Sequence, residues 1–360
     1  MKCLFISDCE GPISKNDNAF EITASFVPHG DALFTIISKY DDVLADVIRK
    51  PGYSAGDTLK LILPFLKAYN VTDRQIEEFS ARNLILIRES KETLQHIRTL
   101  TEAFIVSTSY EQYIRALCQN IGFPFENTYC TKLTLDKYSL SQKDQARLRI
   151  LSKEIAEMSL IKIPISAKFL SDFSKEDQKN IARLDEIFWS DLASNCCQTL
   201  FSEVTPIGGP QKAKAIQNAA QKSNVSLSDV MYVGDSITDV EAFKLVRTNG
   251  GLAVSFNGNR YAVNNAEIAV ISESSVAIAA LANVFCKNGK AQALRLANKW
   301  TREALEGDIV NEKLLTWFFG VYPRVAPQVK VITSQNRDAL AQESSNFRKK
   351  VRGNAVGKLG

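Results

Sequence analysis

The chain has only two histidines, His29 and His96, and neither has a Cys, Asp or Ser partner nearby in sequence. The seven cysteines are scattered with no CxxC spacing, so neither a zinc site nor a disulfide framework is indicated and reduced thiols are expected. Chemistry must then come from carboxylates, hydroxyls and lysines. Asp8-Cys9-Glu10-Gly11 sets two acids at the end of the apolar run Leu4-Phe5-Ile6, with a Gly11-Pro12 turn to bring them onto one site; alone, the pattern also suits a solvated strand end. Gly234-Asp235-Ser236-Ile237-Thr238-Asp239 follows another apolar run and places two acids four apart, which suits a hard divalent cation such as Mg²⁺ or a simple helix cap. Ser107-Thr108-Ser109 precedes a helix that it can either cap or use to hold a phosphate. Lys212, in Gly208-Gly209-Pro210-Gln211-Lys212, opens a helix whose dipole opposes it and so calls for a compensating anion.

The elements that must position these residues are legible as runs of four apolar or small residues: Leu4 to Ser7, Ala103 to Val106, Val230 to Val233 and Leu252 to Ser255. Near-continuous runs are what strands buried on both faces look like, and the stretches between carry helical spacing, so a parallel α/β sheet is expected. Ligands of such sheets bind beyond the carboxyl ends of the strands, where Asp8, Ser107 and Asp235 fall. The long gaps between the strands imply helical insertions. We expect a core of residues 1–12, 90–140 and 204–285, a helical cap at 13–89 and a second helical insertion at 141–203, whose second helix would be capped by Ser174. Residues 286–340 read as a helical extension with an aromatic cluster around Trp300, Trp317 and Phe318, and residues 341–360 as a flexible basic tail.

Among 360 residues the net charge is +4, and the last twenty, with five Lys/Arg against Glu343, account for all of it. A neutral body speaks against nucleic acid as a partner. No stretch reaches the length of a membrane span, and the opening Met1 to Ile6 has no apolar leader, so a cytoplasmic protein is expected.

Taken in order, the acid pair, the Ser after the second strand, the Lys opening a helix and Gly-Asp-Ser-x-x-Asp only 22 residues beyond it resemble the four motifs of the haloacid dehalogenase superfamily. Ile105 to Tyr110, Cys130 to Leu140 (a later hairpin in that comparison) and Gly251 to Gly258 are similar to the phosphoserine phosphatase branch. Asp8 to Asp17 also resembles an archaeal group within it, energy-converting hydrogenase A subunit R. The resemblance implies a Rossmann-like core and a Mg²⁺-dependent phosphatase of a small phosphorylated metabolite. Asp8 would be the nucleophile and Glu10 the general acid and base; Ser107, Thr108 and Lys212 would bind the phosphate. Mg²⁺ would be held by Asp8, the Glu10 backbone carbonyl and Asp235, with Asp239 binding through water or fixing the site. Lys214 is the rival of Lys212, and Arg49 and Arg82 are the cap cations available for a substrate carboxylate. Most phosphatases of the superfamily have Asp where Glu10 stands, which leaves transfer to an alcohol acceptor as the variant. A non-catalytic subunit of a hydrogenase complex is the alternative from another class, with the insertion and aromatic extension as the surface for that partner or for a homodimer.

Overall fold

The computed structural model describes residues 2–164, 167–192 and 197–359. A seven-stranded sheet runs in the order β3-β2-β1-β4-β5-β6-β7: β1 (Leu4–Ser7), β2 (Glu102–Tyr110), β3 (Thr128–Thr131), β4 (Val230–Gly234), β5 (Leu252–Phe256), β6 (Ile268–Ile271) and β7 (Gln328–Val331). The first six pair in parallel and β7 closes the edge antiparallel to β6. Alternate residues explain the apolar runs. Leu4 and Ile6 point to the face covered by the helices Pro210–Ser223 and Val240–Thr248. Phe5 points to the other, covered by Ser90–Leu100, Glu111–Ile121 and Val276–Asn298. The aromatic extension packs on this second face, with Phe318 buried and Trp300 and Trp317 partly so.

A separate apolar core unites the helices Asn18–Phe26 and Gly30–Asp42 of the segment between β1 and β2 with Gln142–Ala156 and Lys175–Asp185 of the later insertion. Their starts are fixed locally. Asp17 accepts from the Phe20 amide, and Ser141 and Ser174 accept from Asp144 and Asp177, all at 3.1 Å. This helical body stands over the carboxyl ends of β1, β2 and β4.

Four expectations are corrected. Residues 341–352 belong to an ordered helix, Arg337–Arg352, because its inward face finds buried acids to bind rather than solvent. The extension at 286–340 contains strand β7 besides helices. Cys130 to Leu140 forms no hairpin; β3 pairs in parallel with β2, and a short turn at Leu135–Lys137 follows. A disulfide joins Cys3, ahead of β1, to Cys286 on the helix Val276–Asn298, a pairing 283 residues apart that sequence spacing could not reveal. Cys196 lies outside the described residues.

Candidate active site

The strand ends deliver the predicted residues to one place. Asp8 leaves β1 with its amide bonded to the Val233 carbonyl at 2.8 Å, which ties it to β4 and to the turn that carries Asp235. Its side chain is 7% exposed; Oδ1 accepts from the Cys9 amide at 2.7 Å and Oδ2 faces the Lys212 amine at 2.7 Å. Lys212, fully buried at the start of its helix, bridges to Asp239 Oδ1 at the same 2.7 Å. The anion that its position demanded is therefore supplied by protein carboxylates. Burial would lower the Lys212 pKa, but Asp239 and Asp8 outweigh it and hold the amine above its usual value. Burial also raises Asp8, to about 6, against the pull of Lys212. Lys214, two residues further along the helix, is exposed.

Asp239 spends both oxygens. Oδ1 takes the Lys212 amine and the Tyr232 hydroxyl, the latter at 2.6 Å, and Oδ2 takes the amides of Asp235 and Ser236, both at 2.9 Å. The turn holding Asp235 is thus shaped by Asp239. Two glycines make room for it: a Cβ on Gly234 would lie 2.6 Å from Asp239 Cγ, and one on Gly11 (φ +112°) would lie 2.0 Å from Asp235 Oδ2.

Glu10 turns to the N-terminus of the helix Asn18–Phe26, where Oε1 accepts from the Asn18 amide at 2.7 Å. Burial first, and the nearby Asp17 charge second, push its pKa well above the ordinary carboxylate range. Ser107 is buried in the second half of β2 and its Oγ accepts from the Ser109 amide at 3.1 Å. Thr108 donates its hydroxyl to the Ile207 carbonyl at 3.0 Å, so its side chain ties β2 to the loop before the helix Pro210–Ser223 as well as facing the site. Asp8, Glu10, Ser107, Thr108 and Asp235 share a cavity of about 90 Å³ with Asp41 of the helical body. Lys212 and Asp239 lie just behind Asp8.

Several residues of this cavity escaped the sequence reading. Arg348 and Arg352 of the C-terminal helix both donate to Asp235 Oδ2. Asp41, buried, holds the loop after its helix through the Gly56 amide and the Thr58 hydroxyl, both at 2.9 Å. Arg49 and Arg82 line no part of the cavity: Arg49 is exposed elsewhere and Arg82 lies on the surface beside Glu78. The spacing of Ser344, Arg348 and Arg352, four residues apart on one helical face, was the available signal for the arginines.

The carboxylates of Asp8, Asp235 and Asp239 each offer an oxygen, all within 4.8 Å of one another and all buried. Such a hard oxygen set fits a divalent cation, with the donors narrowed to Asp8 and Asp235 because Asp239 is already saturated.

Residues 58–282 match the family of haloacid dehalogenase-like hydrolases, well over half of the chain, and the protein belongs to that family. No curated protein matches the sequence. Among solved structures, gene product AF1437 from Archaeoglobus fulgidus is similar with a TM-score of 0.79 and 24% identity, over 100% of this chain and 99% of that one. Phosphoserine phosphatase in its apo form is more distant, with a TM-score of 0.43 and 13% identity over 77% of this chain and 98% of that one. Its substrate-bound complex gives 0.45 and 14% over 77% and 97%.

Proposed function

We propose that the protein is a phosphohydrolase of a small phosphorylated metabolite that works through an aspartyl-phosphate on Asp8. The observation that carries this reading is the buried chain Asp8–Lys212–Asp239 beside Asp235, set where three parallel strands end. A structural salt-bridge cluster has no need of a nucleophile facing a cavity, whereas Asp8 both faces the cavity and is neutralised from behind.

Asp8 attacks phosphorus in line and the ester oxygen leaves, which splits one difficult displacement into two. Glu10, whose pKa burial and Asp17 push up, gives a proton to the leaving oxygen; it then takes one from the incoming water, which attacks phosphorus, breaks the bond to Asp8 and releases inorganic phosphate. Lys212 stays charged throughout and offsets the Asp8 carboxylate, so that an anionic phosphate is not repelled. Ser107, in the last part of β2, would receive a phosphate oxygen through its hydroxyl, and Thr108, whose hydroxyl is given to the Ile207 carbonyl, would do so through its amide. Asp8, Asp235 and the Glu10 carbonyl would hold Mg²⁺, which when bound supplies the charge that neutralises phosphate oxygens. Asp239 is a positioning residue that orients Lys212 and the Asp235 turn.

The helical body closes over these groups and contributes Asp41 rather than a cation to the cavity. That favours a substrate whose non-phosphate part donates hydrogen bonds, as an alcohol or ammonium group does. The test is phosphate release from a panel of phosphorylated metabolites, with Mg²⁺ or with EDTA, for wild type and Asp8→Asn. Turnover that requires both Mg²⁺ and Asp8 supports the reading; equal release by the two proteins, or none on any substrate, removes it.

A further inference from the structure

The C-terminal helix Arg337–Arg352 is bound to the catalytic sheet by one face. Ser344 Oγ donates to the Gly258 carbonyl at 2.6 Å, and Arg352 donates to the carbonyls of Lys15 (Nε, 3.0 Å) and Asn16. Past the helix, Val356 and Leu359 enter the apolar core of the helical body, and the Leu359 carbonyl accepts from Arg348 Nη2 at 3.4 Å. One short segment therefore straps the helical body to the sheet, and it does so across the active site.

What the strap carries there is unusual for surface arginines. The side chains of Arg348 and Arg352 are only 3% and 4% exposed, and both Nη1 atoms reach the same oxygen, Asp235 Oδ2. Long basic side chains normally keep their heads in water. Here two like charges are brought together out of water, and the Arg348 Nε has no hydrogen-bond partner. The cavity they enter is lined by the acidic side chains of Asp8, Glu10, Asp17 and Asp235. The pair thus sits where an acidic site needs positive charge, on the carboxylate proposed above to ligate the cation.

We propose that Arg348 and Arg352 set the cation affinity of the site: they occupy the cation's place on Asp235, so that cation binding and docking of the C-terminal helix compete. This rests on the reading of Asp235 as a cation ligand. Coupling of this kind is reciprocal. The helix weakens the cation, and the cation loosens a strap that also ends in the helical body, freeing that body to move over the cavity. Arg348 and Arg352 act through Asp235 and are positioning residues.

The experiment is calorimetric titration of Mg²⁺ into the full chain, as wild type, Arg348→Gln and Asp235→Asn, with no substrate present. Loss of a charge-assisted contact to the ligand oxygen should tighten Mg²⁺ binding to Arg348→Gln by roughly ten- to a hundredfold, while Asp235→Asn abolishes it. In wild type, amide hydrogen exchange over residues 340–359 should speed up when Mg²⁺ is added, a readout that remains if the variant does not fold. Equal or weaker Mg²⁺ binding by a folded Arg348→Gln overturns the inference, as does slower or unchanged exchange in the strap while Mg²⁺ binds. If wild type and Arg348→Gln bind no Mg²⁺ at all, the cation reading falls and the competition with it; binding by both with equal affinity removes the competition alone.

Discussion

Asp239→Asn isolates what the saturated carboxylate contributes. The side chain keeps its shape, but one oxygen becomes an NH₂ donor. Five donors converge on the two oxygens: Lys212 Nζ and the Tyr232 hydroxyl on one, the Asp235 and Ser236 amides and, at 3.4 Å, the Ser236 hydroxyl on the other. Whichever way the amide turns, at least one pair of donors meets a donor. Two hydrogen bonds to a charged acceptor are lost at about 1.5–3 kcal/mol each, so the variant should be destabilised by roughly 3–6 kcal/mol. Tyr232→Phe removes one of the five donors and leaves the acceptor served, which should cost about 1–2 kcal/mol. Urea unfolding of the three proteins, extrapolated to water, gives the comparison directly. If Asp239→Asn loses no more than Tyr232→Phe, Asp239 does not hold the turn, and the assignment of Asp235 to a preformed position fails with it.

Three further outcomes are expected of the same site and core. Burial raises Asp41 from its usual 3.8 to about 7, so the folded state holds its proton more tightly than the unfolded one, and stability should fall as pH rises through that window. Asp41→Asn, whose oxygen still accepts from Gly56 and Thr58, should abolish this slope and gain on wild type by a few kcal/mol at pH 8, about 4 at most, in urea unfolding run across pH. Gly11→Ala should lose roughly 2 kcal/mol or more and nearly all turnover, since the methyl meets Asp235 Oδ2 at 2.0 Å and φ is +112°; thermal melting and phosphate release check it. Cys286→Ser opens a loop that spans 283 residues and should cost about 5–6 kcal/mol on chain-entropy grounds, with reduced wild type unfolding at the same urea concentration as the variant.

The strands that carry the site were legible because both of their faces are buried, which writes continuous apolar runs into Leu4 to Ser7 and Val230 to Val233. β7 has no such imprint: it is an edge strand with one fully buried residue, Val329, among its four. The ordered motifs brought Asp8, Lys212, Asp235 and Asp239 together on paper because each stands at a strand end or helix start, where sequence position determines location. Arg348 and Arg352 were missed for the opposite reason. A run of basic residues reads as solvated when its charge is counted in bulk, and only the tertiary fold reveals that Asp8, Glu10, Asp17 and Asp235 form a buried acid cluster for that helix face to meet. The Cys3–Cys286 pairing and the placement of Asp41 over the cavity likewise depend on contacts between distant segments.

The central claim is that Asp8 receives the phosphoryl group. The most direct measurement is mass spectrometry of the peptide containing Asp8 after acid quench during turnover, with the best substrate of the metabolite panel and Mg²⁺. The account predicts that this peptide gains the mass of one phosphoryl group on Asp8, and that Asp8→Asn shows no such adduct. Turnover with no label on Asp8, or with label on another residue that persists in Asp8→Asn, would contradict it.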